Sequence, residues 1–285
     1  MPLSYSSNVE STRAQSRLAS TSTKLNRTFE RLSSGLRINR ASDDPAGLAL
    51  AENLRTDVRI ASMAVRNAND GISITAVADA ALEEIGDVLR RMAELAEQSA
   101  NGAYTNSQRS ALATEFVALG SEIERIAATT KFNNMTLLSN SSAMGIQVGL
   151  DGGANSIIWI SSVLGTLSAL GLGGAGGALS YSIISTSTTL AQSAAQNALT
   201  AVTGAITSLS NARGTLGAAE SRLNTAISFL QVARENFVAA ESRIRDADIA
   251  QEVAEMVRLQ VLQQAGTAVL AQANQQPSVV LRLLS

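Results

Sequence analysis

The chain has 285 residues, 22 Lys and Arg against 24 Asp and Glu for a net charge of -2, 3% aromatic residues, and neither His nor Cys. The missing imidazoles and thiols remove disulfides, thiolate nucleophiles and the two commonest zinc ligands. Near-neutral charge without a Lys/Arg cluster removes the footprint that nucleic acid or an anionic membrane needs. So few aromatic side chains cannot fill a thick globular core. Thin helix-on-helix packing is expected, any enzyme would have to work with carboxylates, Lys, Tyr or hydroxyls, and partners must be found by shape and apolar contact.

The opening residues, MPLSYSSNVESTRAQS, lack the basic start, apolar middle and small-residue cleavage site of a secretory signal, so export would need another route. From Leu18 a heptad begins, through Ser22, Leu25, Phe29, Leu32 and Leu36. This seam is weak, and the helix it predicts should need a partner. Residues 33–55 interrupt the pattern. Gly35 weakens the first helix, and Asp44 with Pro45 reads as the N-cap and first residue of the next, because Pro lacks only a donor that this position leaves unpaired anyway. A connector or hinge is expected between them.

Leu54, Val58, Ala61, Val65, Ala68, Ile72 and Thr75 then alternate by fours and threes, and a step of three to Ala78 shifts the phase before Leu82, Ile85, Leu89, Met92 and Ala96 continue it. The shift has the form of a stammer. Asn101 and Gly102 end this helix, and Thr105 with Gln108 makes a capping box for a third, whose seam is Leu112, Phe116, Leu119, Ile123, Ile126 and Thr130.

Between Phe132 and Ala212 the only charged residue is Asp151. The runs 145–150 and 155–160 flank Asp151-Gly152-Gly153 and predict a β-hairpin with a glycine turn. Gly171, Gly173 and Gly176 match a dinucleotide-binding fingerprint, but no acidic residue follows until Glu220, so a flexible loop is the expectation. Residues 157–179 are long and uncharged enough to span a bilayer by count, but their Ser and Gly content and lack of basic flanks argue against it.

The longest regular stretch is 195–247. Val202, Leu209, Leu216, Leu223, Leu230, Phe237 and Ile244 occupy one heptad position, and Ala198, Ala205, Ala212, Ala219, Ala226, Ala233, Ala240 and Ala247 the other. One large and one minimal residue per heptad keep a narrow seam against a closely approaching partner helix over most of the length. After Ala247 the Ala seam is lost. Ile249, Val253, Met256, Val257, Leu259, Val261, Leu262, Val269 and Leu270 spread apolar character around the helix. A single chain has too little other surface to cover it, so copies of the chain are expected to bury each other's ends, which stay poorly ordered until they do.

Four stretches then carry a resemblance. LSSGLRINRASDDPAGLALAENLR, the ELAEQSANGAYT run from Glu94, the TKFNNMTLL run from Thr130, and SRIRDADIAQE with LQQAGTAVLAQANQQPSVVLRLL are together similar to bacterial flagellin, at both ends of the chain. Asn134 stands where many flagellins have Gly after Phe-Asn, a mild departure because Asn tolerates positive φ. The middle is far shorter than in flagellins with large outer domains.

The resemblance implies a mainly α fold: a long antiparallel helical rod and coiled-coil bundle formed by both chain ends, with a small β-hairpin in the middle. Its domains would be 1–40 with 250–285 as a terminal coiled-coil inner domain, 41–138 with 188–249 as a helical rod domain, and 139–187 as hairpin and Ser/Gly-rich loops. The implied function is a structural subunit that polymerises into the flagellar filament for swimming motility, secreted and extracellular, not an enzyme and with no cofactor and no metal. The implied partners are further copies in a helical homopolymer, the flagellar export apparatus, a flagellin chaperone, and the filament cap and hook-junction proteins, with no nucleic acid and no membrane. Toll-like receptor 5 recognition, carried over by the ELAEQSANG run, would fall on Arg91, Leu95 and Glu115. The alternatives are a hook-filament junction protein, against which LAQANQQPSVV argues, and a chemoreceptor-type signalling hairpin, which the Gly/Ser-rich, uncharged middle opposes.

Overall fold

The computed structural model describes residues 8–174, 177–185 and 187–284, without the side chains of 188 and 276–284. The elements in order are α1 (Val9–Ser34), α2 (Pro45–Ala100), α3 (Asn106–Thr129), β1 (Lys131–Phe132), β2 (Met135–Thr136), β3 (Met144–Gln147), β4 (Ile157–Ile160), α4 (Thr188–Arg245) and α5 (Ile249–Leu284). They group into two compact units, residues 1–58 with 235–285 and residues 59–234.

In the first unit α1 packs on α5, with Leu25, Thr28 and Leu259 buried. The Asn8 side chain caps α1 by accepting from Ser11 N at 3.0 Å, and its amide donates to the Ala273 carbonyl at 2.9 Å. Gly35 ends the helix in the left-handed region at φ 71°, its N–H bonded to the Arg31 carbonyl at 2.8 Å. Glycine takes that conformation at no steric cost. The expected connector follows, and it is tied down: Arg37 N donates to the Arg245 carbonyl at 2.6 Å and Ala247 N to the Gly35 carbonyl at 3.0 Å. The Asp44 carboxylate accepts from Gly47 N at 3.0 Å, as an N-cap ahead of Pro45 should.

The second unit holds the core. Along α2, Ala61, Ala68, Thr75, Ala78, Leu82, Ile85, Leu89, Met92 and Ala96 are buried, the stripe read from the sequence on both sides of the phase shift. They face Ala198, Val202, Ala205, Leu209, Leu216, Ala219, Leu223 and Leu230 of α4. At Gly86 an added Cβ would meet the Leu209 Cδ2 methyl at 3.2 Å, a tight contact that this methyl would have to yield to. Past Leu230 the α4 seam opens: Ala233, Phe237, Ala240 and Ile244 are only half-buried, so the close packing expected over most of the stretch belongs to its first two-thirds. Thr105 opens α3 with the reciprocal bonds of a capping box to Gln108. The buried face of α3 is Ala113, Phe116, Gly120, Ile123 and Ala127, rotated from the sequence seam, with Leu112, Leu119 and Ile126 at its edge.

Two antiparallel hairpins follow. β1 and β2 turn through Asn133 and Asn134 at φ 46° and 67°, a two-residue loop with both central residues left-handed. β3 pairs with β4 from Met144↔Ile160 to Gln147↔Ile157. The loop between them is longer than a two-glycine turn. A 3-10 turn at Ala154–Ser156 closes it, and the Asp151 carboxylate accepts from Gly153 N at 3.2 Å and from the Ser156 hydroxyl.

The uncharged stretch after β4 is packed rather than loose. Val163, Leu167, Leu170, Leu172 and Ile183 are buried, Glu124 accepts from Leu167 N at 3.1 Å, and Ser99 Oγ donates to the Ile183 carbonyl at 2.8 Å. Gly171 turns at φ 75° and Gly173 sits against Leu167, while Gly176 of the fingerprint lies outside the described residues. Among the described residues no helix is long and apolar enough to cross a membrane.

Candidate functional site

A chain read as a polymer subunit should carry its chemistry on its surface. In the first unit that surface is α5. Leu259 and Ala273 turn toward α1, whereas Ile249, Val253, Val257, Val261, Leu262 and Val269 are exposed. The first four step by four residues and drift slowly around the helix, and Leu262 and Val269 continue on another side. Apolar residues therefore cover most of the circumference while one helix covers one face. Arg31 of α1 pairs with Glu252 of α5 at 3.2 Å and holds the two in register.

In the second unit the helical return sets the positions of Arg91, Leu95 and Glu115, the three residues named from the resemblance. The α2–α3 turn brings Arg91 Nε to Glu115 Oε1 at 2.8 Å, and Arg91 Nη1 to Glu94 Oε2 at 2.9 Å. Hydrogen bonding to Glu115 first, then to Glu94, holds the Arg91 guanidinium more firmly protonated than usual. Both partners of the Arg91–Glu115 pair are about half exposed. Leu95 is not: it is 0% exposed and belongs to the core, packed below the helix surface on which Arg91 lies.

What fixes this return is a residue the sequence reading passed over. Arg109 is 0% exposed, and its guanidinium donates to the carbonyls of Tyr104 at 3.2 Å and Asn101 at 2.9 Å. It places a cation on the carbonyls just past the C-terminal end of α2, where the helix dipole favours positive charge. Composition carries no signal for it, since Arg109 reads as the ordinary polar face of an amphipathic helix. Further along, Arg213 of α4 bridges Asp79 Oδ1 of α2 at 2.7 Å and reaches Glu83 at 3.5 Å. Among the described residues, no three His, Cys, Asp or Glu are placed to hold a metal ion.

The bacterial flagellin N-terminal helical region matches residues 5–143, and the bacterial flagellin C-terminal helical region matches residues 199–284. The chain is 42% identical over 257 residues to a flagellin of Halalkalibacterium halodurans, covering 90% of both chains. It is 38% identical to a flagellin of Bacillus subtilis, covering 97% of this chain and 98% of that one. With flagellin FlaB1 of Treponema pallidum it shares 37% identity, covering 95% of this chain and 96% of the relative. Helical ends of matching sequence on both sides of a short middle, with identity sustained along nearly the whole length, show that the chain belongs to the bacterial flagellin family and is a structural, non-enzymatic subunit of the flagellar filament.

Proposed function

We propose that the two chain ends, 1–40 and 250–285, form the polymerising part of this subunit. In this division 41–138 with 188–249 forms the helical rod and 139–187 the hairpin and loop region. The observation that carries the reading is α5, whose exposed Val253, Val257, Val261, Leu262 and Val269 have no cover among the described residues. Each large apolar side chain moved from water into a packed interface contributes roughly 1.5–3 kcal/mol, so a row of them is a strong drive to associate. Polymerisation supplies the cover. The subunit leaves the cell through the flagellar export apparatus, guarded by a flagellin chaperone, and is placed between the hook-junction proteins and the filament cap. Deleting 1–32 or 252–285 is expected to leave a folded, soluble protein that forms no filaments, read by electron microscopy after seeding. Truncated protein that still grows filaments of normal length contradicts the reading.

A second reading concerns recognition by Toll-like receptor 5, and the Arg91–Glu115 pair favours it. The two side chains present a cation and an anion side by side on adjacent helices, and Leu95 beneath them acts by holding α2 and α3 together. Arg is among the residue types that most often dominate binding. Monomer carrying Arg91→Ala or Glu115→Ala is expected to lose at least tenfold in receptor activation. Equal activation by wild type and both variants overturns the assignment.

A further inference from the structure

The return between α2 and α3 carries a reactive pair, Asn101 and Gly102. Of the asparagines in the chain, Asn101 alone is followed by glycine. Asn101, Gly102 and Ala103 are all exposed, between the last residue of α2 and the first of α3. The Gly102 N–H donates to no acceptor among the described residues. Backbone nitrogens are ordinarily tied up in helix and sheet bonds. This one faces solvent, and glycine has no side chain to shield it.

Two hydrogen bonds bear on the groups either side of that nitrogen. Asn101 Oδ1 accepts from Ala103 N at 3.0 Å. That bond folds the side-chain amide back along the Gly102 peptide and withdraws electrons from its carbon, Cγ. The Asn101 main-chain carbonyl accepts from Arg109 Nη2 at 2.9 Å. This carbonyl belongs to the same peptide unit as the Gly102 N–H, so a cation on its oxygen favours loss of the proton from the nitrogen. Arg109 Nη1 is buried with no partner among the described residues, and the guanidinium faces two carbonyls and no carboxylate there. Its charge therefore bears on the Asn101 peptide without a counter-ion to offset it.

We propose that Asn101 is a site of self-modification, where the chain deamidates itself through attack by the Gly102 nitrogen. The nitrogen gives up its proton and bonds to Asn101 Cγ, which places negative charge on Oδ1. The Ala103 N–H is already in place to stabilise that charge. The Cγ–Nδ2 bond then breaks, and Nδ2 leaves as ammonia with the proton that came from Gly102. A cyclic imide remains, and solvent water opens it. Attack at Cγ gives aspartate, and attack at the Asn101 main-chain carbonyl carbon gives isoaspartate, with the backbone running through the former side chain. Either way an amide and a water become a carboxylate and an ammonium ion, with nothing oxidised or reduced. Asn140 is the comparison within the chain. It is exposed and its Oδ1 accepts from Ser142 N at 3.1 Å, but Ser141 follows it and no cation donates to its carbonyl among the described residues.

The proposal stands apart from the filament reading, and monomer suffices to test it. Full-length protein is held folded at mildly alkaline pH and followed by peptide mapping that separates the asparaginyl, aspartyl and isoaspartyl forms of residue 101. A synthetic peptide of residues 98–105 carries the same sequence without the turn. The folded chain is expected to convert Asn101 about threefold or more faster than the peptide, since one placed oxyanion donor is worth about a hundredfold in a closed active site and less in an open turn. Asn140 is expected to stay intact over the same time. Ala103→Pro removes the donor to Oδ1, and Arg109→Met removes the cation from the carbonyl. Each is expected to bring the rate down to that of the peptide, in protein whose thermal melt shows it folded. If Arg109→Met does not fold, Ala103→Pro, at an exposed position, decides the question alone. Conversion of Asn101 that is no faster in the folded chain than in the peptide, or unchanged in Ala103→Pro, or matched at Asn140, overturns the proposal.

Discussion

The residues that hold this subunit together are small. Ala198 and Ala205 of α4 are fully buried in the core shared with α2, and the Leu209 side chain beside them packs tightly against Gly86 of α2. Ala205→Leu is expected to overpack this contact at a cost of roughly 1–3 kcal/mol. Ser228→Leu, at an exposed position of the same helix, should shift the melting temperature little. Equal melting temperatures for the two variants would contradict the packing. Ala226 and Ala233 share the heptad position but are half-buried, so the same substitution there should cost less. Arg109 is the opposite kind of residue, a large cation buried with no carboxylate partner among the described residues and held by two carbonyl oxygens. Its burial is tolerable because those carbonyls lie just past a helix C-terminus, where the charge is favoured and the oxygens need donors.

At the scale of elements, local chemistry and long-range packing divide the work. The Asp44-Pro45 start of α2 and the Thr105–Gln108 capping box were legible in the sequence because each depends on residues within four positions of one another. The β3–β4 hairpin was legible too, although its Asp151 loop is built by side-chain bonds to Gly153 and Ser156 rather than by a glycine turn. The packing of Leu167, Leu172 and Ile183 was not, since these residues have no periodicity and find their places only against α2 and α3. Nor was the β1–β2 pairing, which lies in a run without alternation, although a positive φ at Asn134 was expected.

The Asp79–Arg213 bridge between α2 and α4 gives these elements a pH dependence. Hydrogen bonding to Arg213 lowers the Asp79 carboxyl below its usual value, against a smaller opposing cost of burial. A lowered folded value means that the stabilisation is complete above the unfolded Asp pKa of about 3.9 and is lost as pH falls through the folded one. Both side chains are more than a third exposed, so solvent limits the effect to under about 1 kcal/mol. Asp79→Asn should therefore melt slightly below wild type at pH 6, with the difference closing below about pH 4. A gap that stays constant from pH 6 to pH 2 would assign the effect to something other than this charge.

At the scale of the whole molecule, the two units differ in how complete they are alone. The second buries an unbroken core from α2 to α4 and carries the Arg91–Glu115 pair on its surface. In the first, α1 packs on one face of α5, and Val253, Val257, Val261 and Val269 are exposed. The sequence carried this contrast as a change of pattern at Ala247, from a narrow seam to apolar residues all round. What it left open was which face of α5 the chain covers itself, because that depends on the register of α1, fixed by Asn8, Ser11 and Arg31.

The central claim is that the ends are finished only by other copies, and backbone hydrogen exchange on monomer and filament tests it most directly. In the monomer, amides of α1 and α5 are expected to exchange quickly while those of residues 82–96 and 195–209 stay protected. In the filament all four segments should be slow. If α1 and α5 are as protected in the monomer as in the filament, the ends are complete by themselves and the account is wrong.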